Sequence, residues 1–74
     1  MESKSKVLGR SITVNLKDSA KTYNIIINFM RRGLAALKDE TYHADRAEFV
    51  ICGCCDSTFQ VICSDIMAEG IELL

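Results

Sequence analysis

The stretch Arg10-Ser11-Ile12-Thr13-Val14-Asn15-Leu16-Lys17 alternates polar and apolar residues with period two. In an extended chain Ile12, Val14 and Leu16 point to one side, and Ser11, Thr13 and Asn15 to the other. The β-branched residues suit a pleated, half-buried surface, so residues 10–17 read as a strand. Asp18 and Ser19 follow at once as a helix N-cap signal, with a long apolar helical pattern behind them. One strand feeding one helix leaves an unpaired edge. Its simplest partner is the same strand of a second copy, so the pattern predicts a homodimer.

Size points the same way. With 74 residues the chain is one domain whose small core gains from a partner. Its 49% apolar content excludes a disordered chain. The opening Met-Glu-Ser-Lys-Ser-Lys has no apolar run behind it, and no stretch is long and apolar enough to span a membrane. The expected location is intracellular: the cytoplasm, or the host cytoplasm for a viral protein.

The net charge of −1 hides an asymmetry. Residues 1–32 set Lys4, Lys6, Arg10, Lys17, Lys21, Arg31 and Arg32 against Glu2 and Asp18, a net +5. Residues 33–74 set Lys38 and Arg46 against Asp39, Glu40, Asp45, Glu48, Asp56, Asp65, Glu69 and Glu72, a net −6. The basic half suits a polyanion; the acidic half would face away from one.

Residues 1–9 read as a flexible basic arm. From Ser19 to about Lys38, the residues Tyr23, Ile26, Ile27, Met30, Leu34 and Leu37 line one helical face, and Ile25 and Phe29 add a second stripe. Such a helix is buried on more than one side. Gly33 either ends it early or is tolerated within it. Residues 39–45 read as a polar loop. Asp45-Arg-Ala-Glu48 has capping-box spacing and opens a second helix over about 46–54; Ser57-Thr-Phe-Gln60 opens a third over 57–74. A competing reading stays open for 46–63: Glu48-Phe-Val-Ile-Cys and Thr58-Phe-Gln-Val-Ile-Cys are both β-prone, giving β-α-β-β-α. The capping boxes and the threes-and-fours spacing of Phe59, Ile62, Cys63, Ile66, Met67, Ile71 and Leu74 favour helices.

Chemistry-bearing residues are few. Cys52, Cys54, Cys55 and Cys63 do not have the two C-x2-C pairs of a zinc site, so no metal is expected. They read as small buried apolar groups, or as a possible disulfide, with a thiol or metal role centred on Cys52–Cys63 as a third reading; Cys52 and Cys55 form one C-x-x-C, but on one helix they would not bridge easily, which favours Cys63 as a partner. Tyr42, His43 and Asp45 read as solvated loop residues. No phosphate loop, paired-carboxylate motif or nucleophile elbow is present. The expectation is a non-enzyme with no cofactor and no small-molecule substrate.

The order strand, capped helix, loop, capped helix resembles the ribbon-helix-helix DNA-binding proteins of the Arc, MetJ and CopG type, over roughly residues 10–55. The resemblance implies a mainly α fold: a homodimer whose N-terminal strands pair into an antiparallel ribbon in the major groove, with residues 56–74 as an extra C-terminal helix. Carried over, Ser11, Thr13 and Asn15 contact bases of double-stranded DNA, and Lys4, Lys6, Arg10, Lys17 and Arg46 contact its backbone. Asp45-Arg46-Ala47 would anchor phosphate at a helix start. Ile12, Val14, Leu16, Ile26, Phe29 and Met30 form the dimer core. The implied role is a transcriptional repressor of viral or plasmid type. The second reading is a protein-interaction module or inhibitor, built as β-α-β-β-α or as a helical dimer, that works through its acidic second half.

Overall fold

The computed structural model describes residues 9–74. The first strand, β1 (Arg10–Asn15), leads through a single 3-10 turn (Leu16–Asp18) into α1 (Ser19–Arg31). Then come β2 (Ala36–Tyr42), β3 (Arg46–Cys52) and α2 (Asp56–Ala68). The strands form one antiparallel sheet in the order β1-β3-β2. β1 and β2 therefore run parallel, with β3 inserted between them, which is a split β-α-β unit.

Each boundary has a local cause. α1 stops at Arg31 because Gly33 takes the left-handed conformation (φ 72°). Leu34 N–H then donates to Phe29 C=O at 3.0 Å, and Gly33 N–H to Met30 C=O at 3.0 Å. That pair of bonds is a Schellman cap, and it needs a residue that accepts positive φ. The turn between β2 and β3 is short, with His43 N–H donating to Arg46 C=O at 2.8 Å. Gly70 also takes positive φ (80°) at the end of α2, with its N–H donating to Met67 C=O at 2.9 Å.

β3 alternates cleanly: Ala47, Phe49 and Ile51 are buried, while Arg46, Glu48, Val50 and Cys52 face the other side. With Ile12 and Val14 of β1 they form the sheet's half of the core. Ile26 and Phe29 of α1, Ile62 and Ile66 of α2, and Ile71 beyond it complete that core. The result is two layers, helices on one face of the sheet and solvent on the other. Thr22 is the one buried polar residue among those described, and its hydroxyl donates to Asp18 C=O at 2.9 Å. After α2 the chain returns along the outer edge of β1, where Leu74 N–H donates to Thr13 C=O at 2.8 Å.

This architecture corrects the expected fold. The chain is a small α+β domain rather than mainly α, and it builds no ribbon-helix-helix core. β1 pairs with β3 of its own chain, in the register Ile12↔Phe49 and Val14↔Ala47. The helix expected to run to Lys38 is cut at Arg31, and 36–38 become strand. The helix expected over 46–54 is the central strand; the β-α-β-β-α alternative shares the element order but misplaces its hairpin, since 58–63 is helix and the partner strand is 36–42, expected as a helix end and a polar loop. Capping-box spacing misleads at Asp45 because period-two burial of Ala47, Phe49 and Ile51 outweighs a cap worth about 1 kcal/mol. Of the expected dimer core, Ile12, Val14, Ile26 and Phe29 are buried within the single chain, Met30 is half-buried and Leu16 is exposed. The second apolar stripe of α1 is covered by α2, which removes the argument that it needs a second copy. Residues 56–74 belong to the same core as the rest.

Candidate interaction surfaces

The open face of the sheet collects the side chains that the alternation of β1 sets on one side. Ser11, Thr13 and Asn15 stand opposite Val50, Glu48 and Arg46 of β3. Asp39 and Thr41 of β2 extend the same rows. At one end a shallow hollow of about 460 Å³ is lined by Thr13, His43, Ala44, Asp45, Arg46 and Glu48. Sheets that bind single strands offer aromatic rings for bases to stack on and cations to follow the backbone. This face has no aromatic residue, and Glu48 and Asp39 stand among its rows.

The expected DNA contacts are not brought together. Ser11, Thr13 and Asn15 do share a face, but on an in-chain sheet rather than a ribbon. Arg10 turns to the helix side, where it pairs with Asp56 and lies 5.4 Å from the centre of the Phe59 ring. Lys17 is exposed in the 3-10 turn. Arg46 opens β3 beside Asp45 (3.3 Å) instead of opening a helix, so the expected phosphate anchor at 45–47 is a turn into a strand. Lys4 and Lys6 lie outside the described residues.

The helix layer carries a groove where α1 and α2 lie side by side. One hollow of about 250 Å³ is lined by Ile25, Asn28, Phe29, Arg32, Asp65, Ala68 and Glu69. A second, of about 170 Å³, is lined by Phe29, Arg32, Leu34, Ser57, Thr58 and Val61. Phe29 and Arg32 are common to both, and the Arg32 guanidinium sits 5.3 Å from the Phe29 ring centre. The Schellman cap is what swings Leu34 back over Phe29 to form the near wall. The far wall carries Asp65 and Glu69, and residues 56–74 hold no lysine, arginine or histidine; Asp56 is taken up by its pair with Arg10. Val61 (50% exposed) stands one turn before Asp65 on this wall.

The cysteines fall at the corner where β3 passes into α2. Cys52 ends β3, Gly53 turns with φ 69°, and Cys55 is the N-cap of α2. Cys55 is exposed, with its sulfur 3.2 Å from Ser57 Oγ and 3.4 Å from Thr58 Oγ1. Those hydroxyls, with the Thr58 and Ser57 amides adding to them, lower the thiol from 9.0 to about 6. Burial raises Cys54, and the nearby Cys55 and Cys52 raise it further while Arg10 opposes them. Burial also raises Cys63. All four thiols are free. Among the described residues no three His, Cys, Asp or Glu side chains converge as metal ligands. Among them, too, no helix is long and apolar enough to cross a membrane.

Comparison of the chain with protein-family models, with curated proteins and with solved structures finds no match.

Sequence reasoning missed the groove residues Arg32, Leu34, Val61, Asp65 and Glu69 as a group. The apolar spacing puts Leu34 on the face of a longer helix, and only Gly33 acting as a C-cap brings it to the surface. Val61 and Asp65 are four apart on α2, a spacing that marks a shared face once the helix start is fixed. What no spacing reveals is that this face lies beside α1.

Proposed function

We propose that this chain is a non-catalytic protein-interaction module. Its partner is a basic, amphipathic segment that docks along the α1–α2 groove and the acidic side of α2. The observation that carries this reading is the makeup of that surface: exposed apolar Leu34 and Val61 on its rim, half-buried Ile25 at its base, and Asp65 and Glu69 of α2 facing it, with Arg32 between the two hollows. Helix-in-groove recognition uses this combination, apolar anchors for affinity and complementary charge for steering. The DNA-regulator reading rested on a dimeric ribbon, and β1 is committed to β3 in its own chain. Phosphate would also meet Glu48 and Asp39 on the face where base contacts were expected.

The test uses three labelled probes at low salt: a leucine–lysine amphipathic helical peptide, its leucine–glutamate counterpart and a short duplex DNA. Binding is followed by fluorescence anisotropy. The basic peptide should bind, and D65N with E69Q together should weaken it about fivefold, since two screened charge contacts contribute roughly 1 kcal/mol. Val61→Asp should weaken it further, while Thr41→Ala on the open sheet face should leave it unchanged. Preference for the duplex or the acidic peptide would refute the reading.

A further inference from the structure

The sheet has two edges, and the chain covers one of them. Along β1, Leu74 N–H donates to Thr13 C=O at 2.8 Å, so the returning C-terminal residues close that side. β2 is the other edge, with β3 on its inner side and no described strand on its outer side. From Lys38 to Tyr42 every residue is exposed. An open strand edge is a template for one more strand.

The ladder settles which backbone groups point out. His43 N–H donates to Arg46 C=O across the turn at 2.8 Å. Antiparallel pairs alternate between bonded and unbonded, so Thr41 and Asp39, in step with His43, bond to β3, and Glu40 and Tyr42 turn their N–H and C=O outward. The Glu40 N–H accordingly donates to a side chain, Asp39 Oδ1, at 2.9 Å. Lys38 falls in a bulge between Leu37 and Asp39, which confines regular pairing to residues 39–42.

Side chains give the chemistry of the partner. Glu40 and Tyr42 stand opposite Phe49 and Ala47, on the helix side; Asp39 and Thr41 stand opposite Val50 and Glu48, on the open side. Tyr42 is 53% exposed, and its ring and that of Tyr23 both approach Phe49, at 6.2 and 6.5 Å between centres. The Tyr42 hydroxyl donates to Glu40 Oε2 at 2.8 Å. The edge therefore sets the carboxylates of Asp39 and Glu40 next to an aromatic ledge. The cation of β2, Lys38, leans inward, with its Cδ beside Gly9 over the open face.

A second copy does not suit this edge. Antiparallel strands related by a two-fold axis centre on a residue that faces its own counterpart. The middle of β2 is Lys38-Asp39-Glu40, so each central register sets like charges directly opposite one another, which is destabilising.

We infer that the outer edge of β2 accepts an extended basic segment of another protein as a fourth, antiparallel strand. The backbone of that segment exchanges hydrogen bonds with Glu40 and Tyr42, a lysine or arginine lies beside each of Asp39 and Glu40, and an apolar side chain covers Tyr42. Main-chain bonds supply affinity in this mode, and side chains select the partner. A cation beside Asp39 also draws its carboxylate off the Glu40 N–H, which frees that donor for the incoming carbonyl. This surface shares no lining residue with the α1–α2 groove.

The experiment adds the peptide Thr-Val-Thr-Lys-Lys-Thr to the full chain at low salt and follows amide shifts and hydrogen exchange by NMR. In the antiparallel register its valine meets Tyr42 and its lysines meet Glu40 and Asp39. The amides of Glu40 and Tyr42 should shift and gain protection, while those of Asp39 and Thr41, already bonded to β3, change little. Asp39→Asn with Glu40→Gln should weaken binding about fivefold, the effect of two screened charge contacts. Glu40→Pro should abolish it, since proline is tolerated where a strand's N–H faces outward but cannot donate; circular dichroism checks its fold. D65N with E69Q should bind as wild type, which separates this surface from the groove. Equal binding of a peptide with glutamates for lysines overturns the inference, as does a folded Glu40→Pro that binds like wild type. Protection gained at Asp39 and Thr41 instead, or shifts confined to the groove, overturns it without any variant. Glu40 and Tyr42 protected in the free protein, at the mass of two chains, would assign the edge to a second copy. A wild type that does not respond overturns it as well, and a response restored by Lys4→Glu with Lys6→Glu would assign the edge to the chain's own residues 1–8.

Discussion

Replacing Ile51 and its neighbour Val50 separately by alanine tests whether residues 46–52 form the central strand. Ile51 is fully buried, whereas Val50 faces the open side and is half-buried. Ile51→Ala removes three carbons, a transfer cost of about 2.4 kcal/mol at roughly 0.8 per methylene. The cavity left between the sheet and both helices raises this to about 3–4 kcal/mol. Val50→Ala removes two carbons from a half-covered site and should cost about 0.8 kcal/mol. A domain of this size has roughly 4–11 kcal/mol in all, so Ile51→Ala uses a large share and lowers the melting temperature by about 12–30 °C. The assay is urea unfolding followed by circular dichroism, with the slope checked for constancy. Where Ile51→Ala proves too unstable to fold, Ile51→Val supplies a step of about 1 kcal/mol. A helix over the same residues would place Val50, Ile51 and Cys54 on neighbouring faces and leave Phe49 off them. Val50→Ala costing as much as Ile51→Ala would refute the strand, and with it the layer arrangement.

Further outcomes follow from single contacts. Gly9→Ala should destabilise by about 1–3 kcal/mol, because an added Cβ would collide with Val50 Cγ1 on the open face; a neutral change in urea unfolding would contradict that crossing. Replacing Ser57 by Ala and Thr58 by Val should move the pH midpoint of Cys55 alkylation upward from about 6 toward 9; an unmoved midpoint would show that the hydroxyls do not hold the thiolate. Because the folded thiol is the more acidic, its contribution to stability is complete above the unfolded value near 9 and is lost as pH falls through about 6. Cys55→Ser should therefore flatten stability between those limits; an unaltered pH profile of melting would count against the assignment. Gly33→Ala should destabilise by about 1 kcal/mol, since φ 72° is costly for any residue with a Cβ; thermal melting reads this directly, and no change would argue against the Schellman cap.

Much of the local structure was legible. The alternation of 10–17 marks a strand, and the strand observed is 10–15; the threes-and-fours pattern of 57–74 marks a helix, and α2 covers 56–68. Asp18-Ser19 sits at the true start of α1. What failed was the choice of partner for β1. Period two shows that Ile12 and Val14 are buried together, but not which strand lies beside them. Residues 46–52 held both signals, a capping box and a period-two run, and only the sheet decides between them.

The insertion of β3 between β1 and β2 sets an order for folding. β2 and β3 are joined by a turn of three residues, 43–45. β1 meets β3 only after a loop of about 30 residues closes between Asn15 and Arg46. Loop-closure entropy scales as (3/2)RT ln n, so closing 30 residues rather than three costs about 2 kcal/mol more, roughly a thirtyfold lower encounter probability. The hairpin and α1 can therefore assemble while β1 is still unpaired, leaving an apolar strand to search for its slot last. Pulsed hydrogen exchange during refolding would show the amides of Ile12 and Val14 protected after those of β3 that face β2. A chain slowed at that step would expose the very stretch whose alternation looks made for pairing with another copy.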